Sequence, residues 1–558
     1  MADDADGAFT SYATATVDGL LELQPEWATG VGDHRHDDRL TVGTAGHYEQ
    51  ASRWAGERLA GLAAIDSGSL SPEHRVDAQI LANQLARLRF VIDELREHEW
   101  NPMVANPGRA IYNLLARDYA PLTDRLRCAA RRLAMLPESL AAARSVLGAM
   151  PEIHIETALT QFAGTERLLS GELMRQASAA NGAEPDLARV VPRALESLGE
   201  HTRWLEERLA SGRRGGFREP RLGADLFSRK LRLVLDTELP VEQILARAEA
   251  DLTRMSGELA AAAAELTGAP AGDEGATVRA ALDSLAADAP DDATILEFVR
   301  AAFGAQRDFV TAHDLVTVFD DPVEVIAMPE IDRGVAVAYC DSPGPLETAA
   351  LPTFIAVSPT PEGWTQERVR SFYREYNRHM IHNIMIHEAM PGHALQLQHS
   401  RRFTAASPVR TAWRSGSFVE GWAVYAEQVM NAHGYPGEGN PAALRTQRLK
   451  AKIRSVINAI MDTRVHCLGM TEPEAMALMT GPGHQEEGEA AGKWRRVLLT
   501  SAQLSTYYVG FLEVSGLADD LRREHPDWPE RRLHDAMLAH ASPPARHLRT
   551  LLGARAAA

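Results

Sequence analysis

The stretch TQERVRSFYREYNRHMIHNIMIHEAMPGH, residues 365–393, decides the fold around the most informative side chains of the chain. Its apolar residues recur at spacings of three or four, which predicts one face of an amphipathic helix. Thr365 precedes this helix as a suitable N-cap. His387 continues the apolar face, and Glu388 follows it. We therefore expect an imidazole and a carboxylate at the buried end of a helix, where polar groups need partners or a bound ligand.

The two histidines of this stretch are too far apart to converge on an unbroken helix. His387 and His393 are separated by 393 − 387 = 6 residues, whereas a zinc-binding hydrolase helix carries its histidines at i and i+4 with a glutamate beside the first. Six residues at ~100° each leave the second imidazole about 120° from the first. Pro391 and Gly392 lie between them, and a bend there would return His393 to a metal. A helix end with an incidental His–Glu pair explains the spacing equally well.

A second segment, FVEGWAVYAEQ at residues 418–428, adds two carboxylates. Glu420 follows His393 by 420 − 393 = 27 residues, enough for a loop and a second helix to return to the site. Two histidines and one glutamate would leave a fourth coordination position open, the pattern of a catalytic zinc site. Glu427 lies on the same helical face as Glu420 and fits behind a histidine ligand as its hydrogen-bond partner. The alternative is a solvated acidic face, although aromatic residues surround both glutamates.

The composition is that of an acidic globular protein. Among 558 residues, 76 acidic and 58 basic side chains give a formal net charge of −18, which argues against a nucleic-acid binder. The three cysteines are far apart in sequence, so a disulfide framework is not expected. No apolar run reaches the ~20 residues that span a bilayer. We predict a cytoplasmic protein that binds neither nucleic acid nor membrane.

The distribution of patterns along the chain predicts a mainly α fold with one small β-sheet. Helical spacing dominates the first half and returns after about residue 361. Between them lie four β-branched runs: LVTVFD (315–320), VEVIAMP (323–329), GVAVAYCD (334–341) and TFIAVSP (353–359). We predict a single domain, 1–558, with a helical half over about 1–310, the sheet over 311–360 beside the active-site helix, and a helical half with the zinc site over 361–558. TFIAVSP is the candidate sheet edge for an extended peptide.

Two further clusters have an ordinary and a functional interpretation. His34-Arg35-His36-Asp37-Asp38 is interpreted as a surface loop, with a metal-binding tract as the alternative. Arg448, Lys450, Lys452 and Arg454 are interpreted as a solvated helix face, with a cationic anchor for a peptide C-terminus as the alternative.

Six segments together resemble the bacterial family known as domain of unknown function 885. HEAMPGHALQ (387–396) and FVEGWAVYAEQ (418–428) are similar to its two most specific motifs. The other four are PEWATGVGDHRHDDRL (25–40), DTRVHCLGMT (462–471), QLSTYYVG (503–510) and LHDAMLAHASPPARHL (533–548). Members of this family look like gluzincin zinc metallopeptidases, related at fold level to angiotensin-converting enzyme, oligopeptidases and thermostable carboxypeptidases.

The resemblance implies roles for individual residues. It implies Zn²⁺ bound by His387, His393 and Glu420, with Glu388 as the general base. It also implies that Tyr507 stabilises an oxyanion and that His466 contacts a substrate carbonyl, whereas a core aromatic and a capping histidine are the structural alternatives for these two. The sequence departs from the family pattern at Arg464, at Ser501-Ala502 and at Ala394, none of which is a proposed ligand.

The expected function is hydrolysis of peptide bonds in short or unfolded peptides, which a deep cleft of a large zincin fold would admit. The alternatives are a catalytically idle relative that binds a peptide or protein partner, and a zinc hydrolase of a non-peptide amide. The sequence leaves open the oligomeric state, the side-chain preference and the end of the peptide that is attacked.

Overall fold

A computed structural model describes residues 2–180, 184–268, 273–329, 337–361 and 363–554. The described chain is mainly helical with one three-stranded sheet, which confirms the predicted fold class. Two compact units are present. The first comprises Met1–Pro220, Pro343–Leu351 and Ala405–Ala412, and the second comprises Arg221–Ser342, Pro352–Thr404 and Trp413–Ala558. None of the helices in the described part of the chain is long and apolar enough to span a bilayer.

Twenty-four α-helices occur in the described residues. The first unit contains α1 Ala2–Leu23, α2 Pro25–Val31, α3 Ala45–Ala63, α4 Pro72–Phe90, α5 Gly108–Leu115, α6 Leu122–Val146, α7 Glu152–Leu168, α8 Met174–Ala179 and α9 Glu184–Gly215. The second unit continues with α10 Ala224–Leu235, α11 Val241–Thr267, α12 Glu274–Ala286, α13 Ile295–Ala312, α14 Gln366–Glu375, α15 Arg378–Glu388 and α16 His393–Arg402. After α17 Val409–Ala412 in the first unit come α18 Gly416–Ala432, α19 Pro441–Leu468, α20 Glu472–Thr480, α21 Glu487–Leu499, α22 Ser505–Glu524, α23 Glu530–Leu538 and α24 Ala545–Leu552.

The first unit has its own apolar core, built mainly by α5, α6, α7 and α9. The predicted surface loop at residues 34–38 is wrong for His34 and Asp37, because these two side chains belong to a hydrogen-bonded network. His34 contacts Asp37 and Glu347, each at 2.9 Å, and its ring stacks on Tyr119 at 3.6 Å between centroids. Asp37 is 4% exposed. The network holds the segment 343–351 against the first unit, and no metal-binding group identified in the described residues includes it.

The second unit packs α11 along α19 and α18 along α22 around a large apolar core. Its sheet consists of β1 Val323–Ala327, β2 Ala338–Asp341 and β3 Thr353–Val357, in the order β1-β3-β2. β3 pairs in parallel with β1 and antiparallel with β2. The prediction that TFIAVSP is an edge is therefore wrong, because its strand is central and residues 355–357 are fully buried. The edge that lies beside α15 is β2.

The run LVTVFD, residues 315–320, is not a strand. Its backbone groups bond to side chains instead of to a neighbouring strand. The Leu315 carbonyl lies 2.6 Å from Nδ1 of His534, and the Thr317 N–H donates to Asp535 at 2.9 Å. The prediction missed this because β-branched composition does not specify the partner of the backbone. Residues 334–336 of the run GVAVAYCD lie outside the described residues, and its last four residues form β2.

The single helix predicted from Thr365 to His387 is two helices, α14 and α15. The N-cap at Thr365 is confirmed, since its hydroxyl accepts from the N–H of Arg368. Asn377 interrupts the pattern: its side-chain oxygen accepts from the N–H of Met380 and caps α15, while its amide donates to the Arg374 carbonyl. The apolar spacing crosses this break without interruption, so periodicity alone could not reveal it.

A buried carboxyl on α22 gives the second unit a pH-dependent stability. Burial raises the pKa of Glu513 from 4.5 to about 7, with Asp236 adding to the effect and Arg549 opposing it. The unfolded chain releases this proton near pH 4.5, so stability falls as the pH rises from 4.5 towards 7 and stays low above it. We expect the free energy of unfolding of Glu513→Gln to be close to that of the wild type at pH 4.5 and to exceed it by about 3 kcal/mol at pH 8. Thermal unfolding at the two pH values measures this, with the exposed Glu524→Gln on the same helix as the control.

Candidate functional site

A sharp turn brings the two histidines of the HEAMPGH run together. α15 ends at Glu388, and α16 begins at His393. Gly392 makes the turn possible: a β-carbon there would lie 1.9 Å from the His387 carbonyl oxygen, so no other residue fits. The Trp422 indole N–H donates to the Pro391 carbonyl at 2.9 Å and fixes the turn from α18. The two imidazole rings are consequently 4.7 Å apart at an interplanar angle of 82°.

The carboxylate of Glu420, on α18, meets both imidazoles. Its Oε2 lies 3.2 Å from Nε2 of His387 and 3.5 Å from Nε2 of His393. Tetrahedral zinc with ligand bonds of ~2.0–2.2 Å places neighbouring ligand atoms roughly 3.3–3.5 Å apart. The observed spacings fit this, so these three side chains are suited to hold one zinc ion.

Of the two histidines, only His387 has its ring oriented by a hydrogen bond at Nδ1. The Glu427 carboxylate accepts from Nδ1 of His387 at 2.8 Å and from the Asn383 amide at 2.9 Å, which directs Nε2 of His387 towards Glu420. Nδ1 of His393 is buried and has no hydrogen-bond partner within the described ranges. The chain therefore fixes the His387 ring through Glu427 and the His393 ring through packing and the turn.

The electrostatics of this group favour a positive charge. Burial disfavours an imidazolium, but the hydrogen bonds to Glu420 and Glu427 outweigh it and raise the pKa of His387 well above its usual value. Burial alone would raise the pKa of Glu420, yet the two histidines hold it well below its usual range. The negative electrostatic potential that stabilises a protonated His387 would also stabilise a metal cation at the same place.

Glu388 lies next to the two histidines of the candidate site. Ligand atoms of His387, Glu388 and His393 lie within 4.8 Å of one another. The Cys340 backbone N–H, on β2, donates to Oε2 of Glu388 at 2.9 Å and orients the carboxylate. Burial raises the pKa of Glu388, and the neighbouring histidines oppose this. A half-buried, oriented carboxylate beside a candidate cation site is suited to accept and return a proton.

Tyr507, on α22, lines one cavity together with His387 and Glu388. Its hydroxyl lies 3.3 Å from the guanidinium of Arg496. The negative charge of Glu420 and burial together raise the pKa of Tyr507, so the phenol stays neutral and able to donate a hydrogen bond. The Tyr507 phenol is thus a neutral hydrogen-bond donor in the cavity that His387 and Glu388 also line.

His466 is not brought into this group. Its Nε2 lies 3.0 Å from the Val497 carbonyl and 2.9 Å from the Thr500 carbonyl, and the Leu222 N–H approaches its Nδ1 at 3.4 Å. Both ring nitrogens are therefore used to join α19 to neighbouring backbone, and the ring stacks on Phe227. These contacts favour the structural interpretation of His466 over contact with substrate.

Of the three candidate ligands, His387 lines a cavity of ≈ 170 Å³. His387, Glu388 and Tyr507 line one part of it, and Arg454, Lys493 and Arg496 line another. The sequence had not singled out Lys493 or Arg496, nor the orienting groups Asn383 and the Cys340 N–H.

The predicted solvated basic face on α19 is wrong. Lys450 is 5% exposed and pairs with Glu375 at 2.9 Å. Arg454 bonds to Glu375 at 3.4 Å and to Glu489 at 2.6 Å. Helix α19 runs through the core of the second unit, so its cations are held by buried carboxylates rather than by water.

Comparisons with known proteins agree with this fold. The family model described as a bacterial protein of unknown function (DUF885) matches residues 25–552. No curated protein matches the chain. The structure of a "putative lipoprotein of unknown function" from Shewanella oneidensis is 27% identical with a TM-score of 0.83, covering 98% of this chain and 99% of that one. A "putative lipoprotein" from Colwellia psychrerythraea is 16% identical with a TM-score of 0.79, over 98% and 99%, and supports the fold alone.

Proposed function

Because the chain belongs to the bacterial family of unknown function DUF885, whose description gives no activity, we propose from the site itself that it is a zinc-dependent hydrolase of peptide bonds. Its substrates are short or unfolded peptides, as the likeness to gluzincin peptidases suggests. The observation that carries the proposal is the convergence of His387, His393 and Glu420 at 3.2 and 3.5 Å, with Glu388 alongside.

The residues of the chain divide the chemistry between them. Zinc held by His387, His393 and Glu420 would supply Lewis acidity, which polarises a carbonyl and lowers the pKa of a water towards about 7. Glu388 accepts the proton that the attacking water loses and delivers it to the amine nitrogen as the C–N bond breaks. Tyr507 donates a hydrogen bond to the carbonyl oxygen as that oxygen becomes negative. Water is consumed, and a carboxylic acid and an amine are released.

The edge of β2 is suited to hold an extended substrate. The Cys340 N–H donates to Glu388 and therefore points away from β3. Because backbone groups alternate in direction along a strand, the N–H of every second residue of β2 points to the same side as that of Cys340. Ala338 is two residues earlier and lines the cavity. A peptide that pairs with β2 through main-chain hydrogen bonds would pass directly over Glu388. This assigns to β2 the role that the sequence had predicted for TFIAVSP.

Zinc content tests the metal site directly. We expect about one zinc per chain in purified protein, and essentially none in His387→Ala, because three ligands are the minimum for a tightly held catalytic ion. Elemental analysis of dialysed protein measures this. The matched control is His399→Ala, since His399 is also a buried histidine, on α16, but bonds to the Thr317 carbonyl at 2.8 Å. Wild-type protein without zinc after incubation with the ion, or a His387→Ala variant that retains it, would refute the site.

A further inference from the structure

We propose that the cavity ends in a binding site for the free C-terminal carboxylate of a peptide, formed by Lys493 with Arg496, so that the protein removes residues from the C-terminal end of its substrates. This inference rests on the proposed function and names the substrate class of the same site. Its basis is a wall of cations, on α19 and α21, that shares one cavity with His387 and Glu388.

The wall carries more positive than negative side chains. Arg454, Lys493 and Arg496 are the cations that line the cavity. Glu375 and Glu489 bond to Arg454 without lining the cavity, and Lys450 pairs with Glu375 outside it. Lys450 and Arg454 are neutralised by direct contacts with Glu375 and Glu489. The remaining carboxylates at the cavity, Glu388 and Glu427, bond to the Cys340 N–H and to His387 on the metal side. Two cations of the wall are left without a matching carboxylate.

Lys493 is the more informative of these two cations. Its side chain is 8% exposed, and its ammonium makes no hydrogen bond with any residue that the structure describes within the second unit. The nearest carboxylate oxygen, on Glu489, is 3.8 Å away, and Arg454 binds that group at 2.6 Å. Burial, followed by the charge of Arg454, lowers the pKa of Lys493 to about 7. A buried ammonium facing a cavity, short of an anion, is a position where a ligand carboxylate is favourable.

Arg496 completes the site. Its guanidinium donates to Gln503 at 2.8 Å and approaches the Tyr507 hydroxyl at 3.3 Å. Within the described part of the chain it pairs with no carboxylate. Its donors can therefore serve an anion that lies between Lys493 and the Tyr507 hydroxyl, which links the carboxylate site to the reacting carbonyl.

The size of the cavity sets how far the carboxylate lies from the scissile bond. Lys493 and Glu388 line the same cavity of ≈ 170 Å³, which leaves room for only a short stretch of chain between them. A peptide whose scissile carbonyl lies beside Glu388 would thus end within about two residues. The expected products are single amino acids or dipeptides released from the C-terminus.

The test compares two peptide libraries with zinc-loaded, full-length protein. Both are acetylated at the N-terminus; one ends in free carboxylates and the other in carboxamides. Mass spectrometry measures the rate of product release. We expect kcat/KM to be at least about tenfold higher for the acid library, because a hydrogen bond to a charged group contributes that factor or more. Lys493→Met should bring the acid-to-amide ratio close to one, and Lys493→Arg should restore most of it. Arg495→Gln, exposed on the same helix, is the control and should keep the wild-type ratio.

The outcomes separate this inference from the proposed function. Equal rates on the two libraries would overturn the carboxylate site and leave peptide hydrolysis standing. Hydrolysis of neither library would count against the proposed function, and binding then decides the inference. Ultrafiltration of each library with the wild-type protein and with Lys493→Met measures retention. Preferential retention of acids by the wild type alone supports the site, and equal retention of acids and amides refutes it.

Discussion

Glu388→Gln is expected to lower kcat for peptide hydrolysis by about 10²- to 10⁴-fold while zinc stays bound. The amide oxygen of glutamine can still accept from the Cys340 N–H, which lies 2.9 Å from Oε2 of the native carboxylate, so the side chain should keep its position. An amide cannot take the proton that an attacking water releases. The loss should therefore appear in kcat with KM little changed, because binding at β2 and at the cavity wall is untouched.

Steady-state kinetics and zinc analysis on the same preparation measure this result. Glu472→Gln, an exposed carboxylate-to-amide change in the first turn of α20, is the control and should match the wild type in both. A Glu388→Gln variant with normal turnover would show that another group is the base. Loss of zinc in that variant would instead identify Glu388 as a ligand, which its distance of at most 4.8 Å from the histidines permits.

The candidate metal site could be predicted in large part from the sequence because its residues lie in two short segments. His387, Glu388 and His393 are within seven positions, and Glu420 is on the next long helix. The six-residue spacing could not be interpreted with certainty, since the turn depends on contacts of Gly392 with the carbonyl oxygens of residues 386 and 387. Contacts of that kind are set by packing and are not visible in a pattern.

The sheet shows how a local pattern can be identified and yet placed wrongly. TFIAV is an almost continuous apolar run, which is typical of a strand buried on both faces, and Ile355, Ala356 and Val357 are fully buried. That property argued for a central strand. β2 lies within the run GVAVAYCD, which the sequence had predicted to be β-branched strand, but its place beside β3 at the side of the sheet could not be known before the pairing.

The cationic wall was the least predictable part of the site because it is assembled from distant helices. Arg454 is on α19, and Lys493 and Arg496 are on α21. One signal was present: only four lysines, at 230, 450, 452 and 493, occur among the 58 basic residues. All four lysines are buried or half-buried in the structure. The basic side chains that are exposed are arginines. In this arginine-rich chain a lysine marks an interior position.

Gly421→Ala should cause a large loss of stability in the second unit, because the added methyl group would meet backbone rather than a side chain. A β-carbon at Gly421 would lie 2.3 Å from the backbone carbon and oxygen of Gly510, so α18 and α22 touch backbone to backbone. Neither helix backbone can move aside as a flexible side chain would. Overpacking of this kind costs about 3 kcal/mol or more, and the thermal midpoint should fall by roughly 5–10 °C.

The contact between Gly421 and Gly510 also lies close to the candidate site. Gly421→Ala should therefore reduce activity as well as stability, and the two effects can be measured separately. Glu420 precedes Gly421 on α18, and Tyr507 lies one turn before Gly510 on α22. Separating the helices moves the Tyr507 hydroxyl away from Glu420, so kcat should fall in the fraction that remains folded while zinc, held by α15, α16 and α18, stays bound. Gly492→Ala is the control: a β-carbon there meets nothing within 4 Å, and in the helix α21 it should be neutral or stabilise by about 0.5–1 kcal/mol. If Gly421→Ala unfolds at the wild-type temperature with full activity, the two helices are not in direct contact, and the placement of Tyr507 beside Glu420 loses its physical basis.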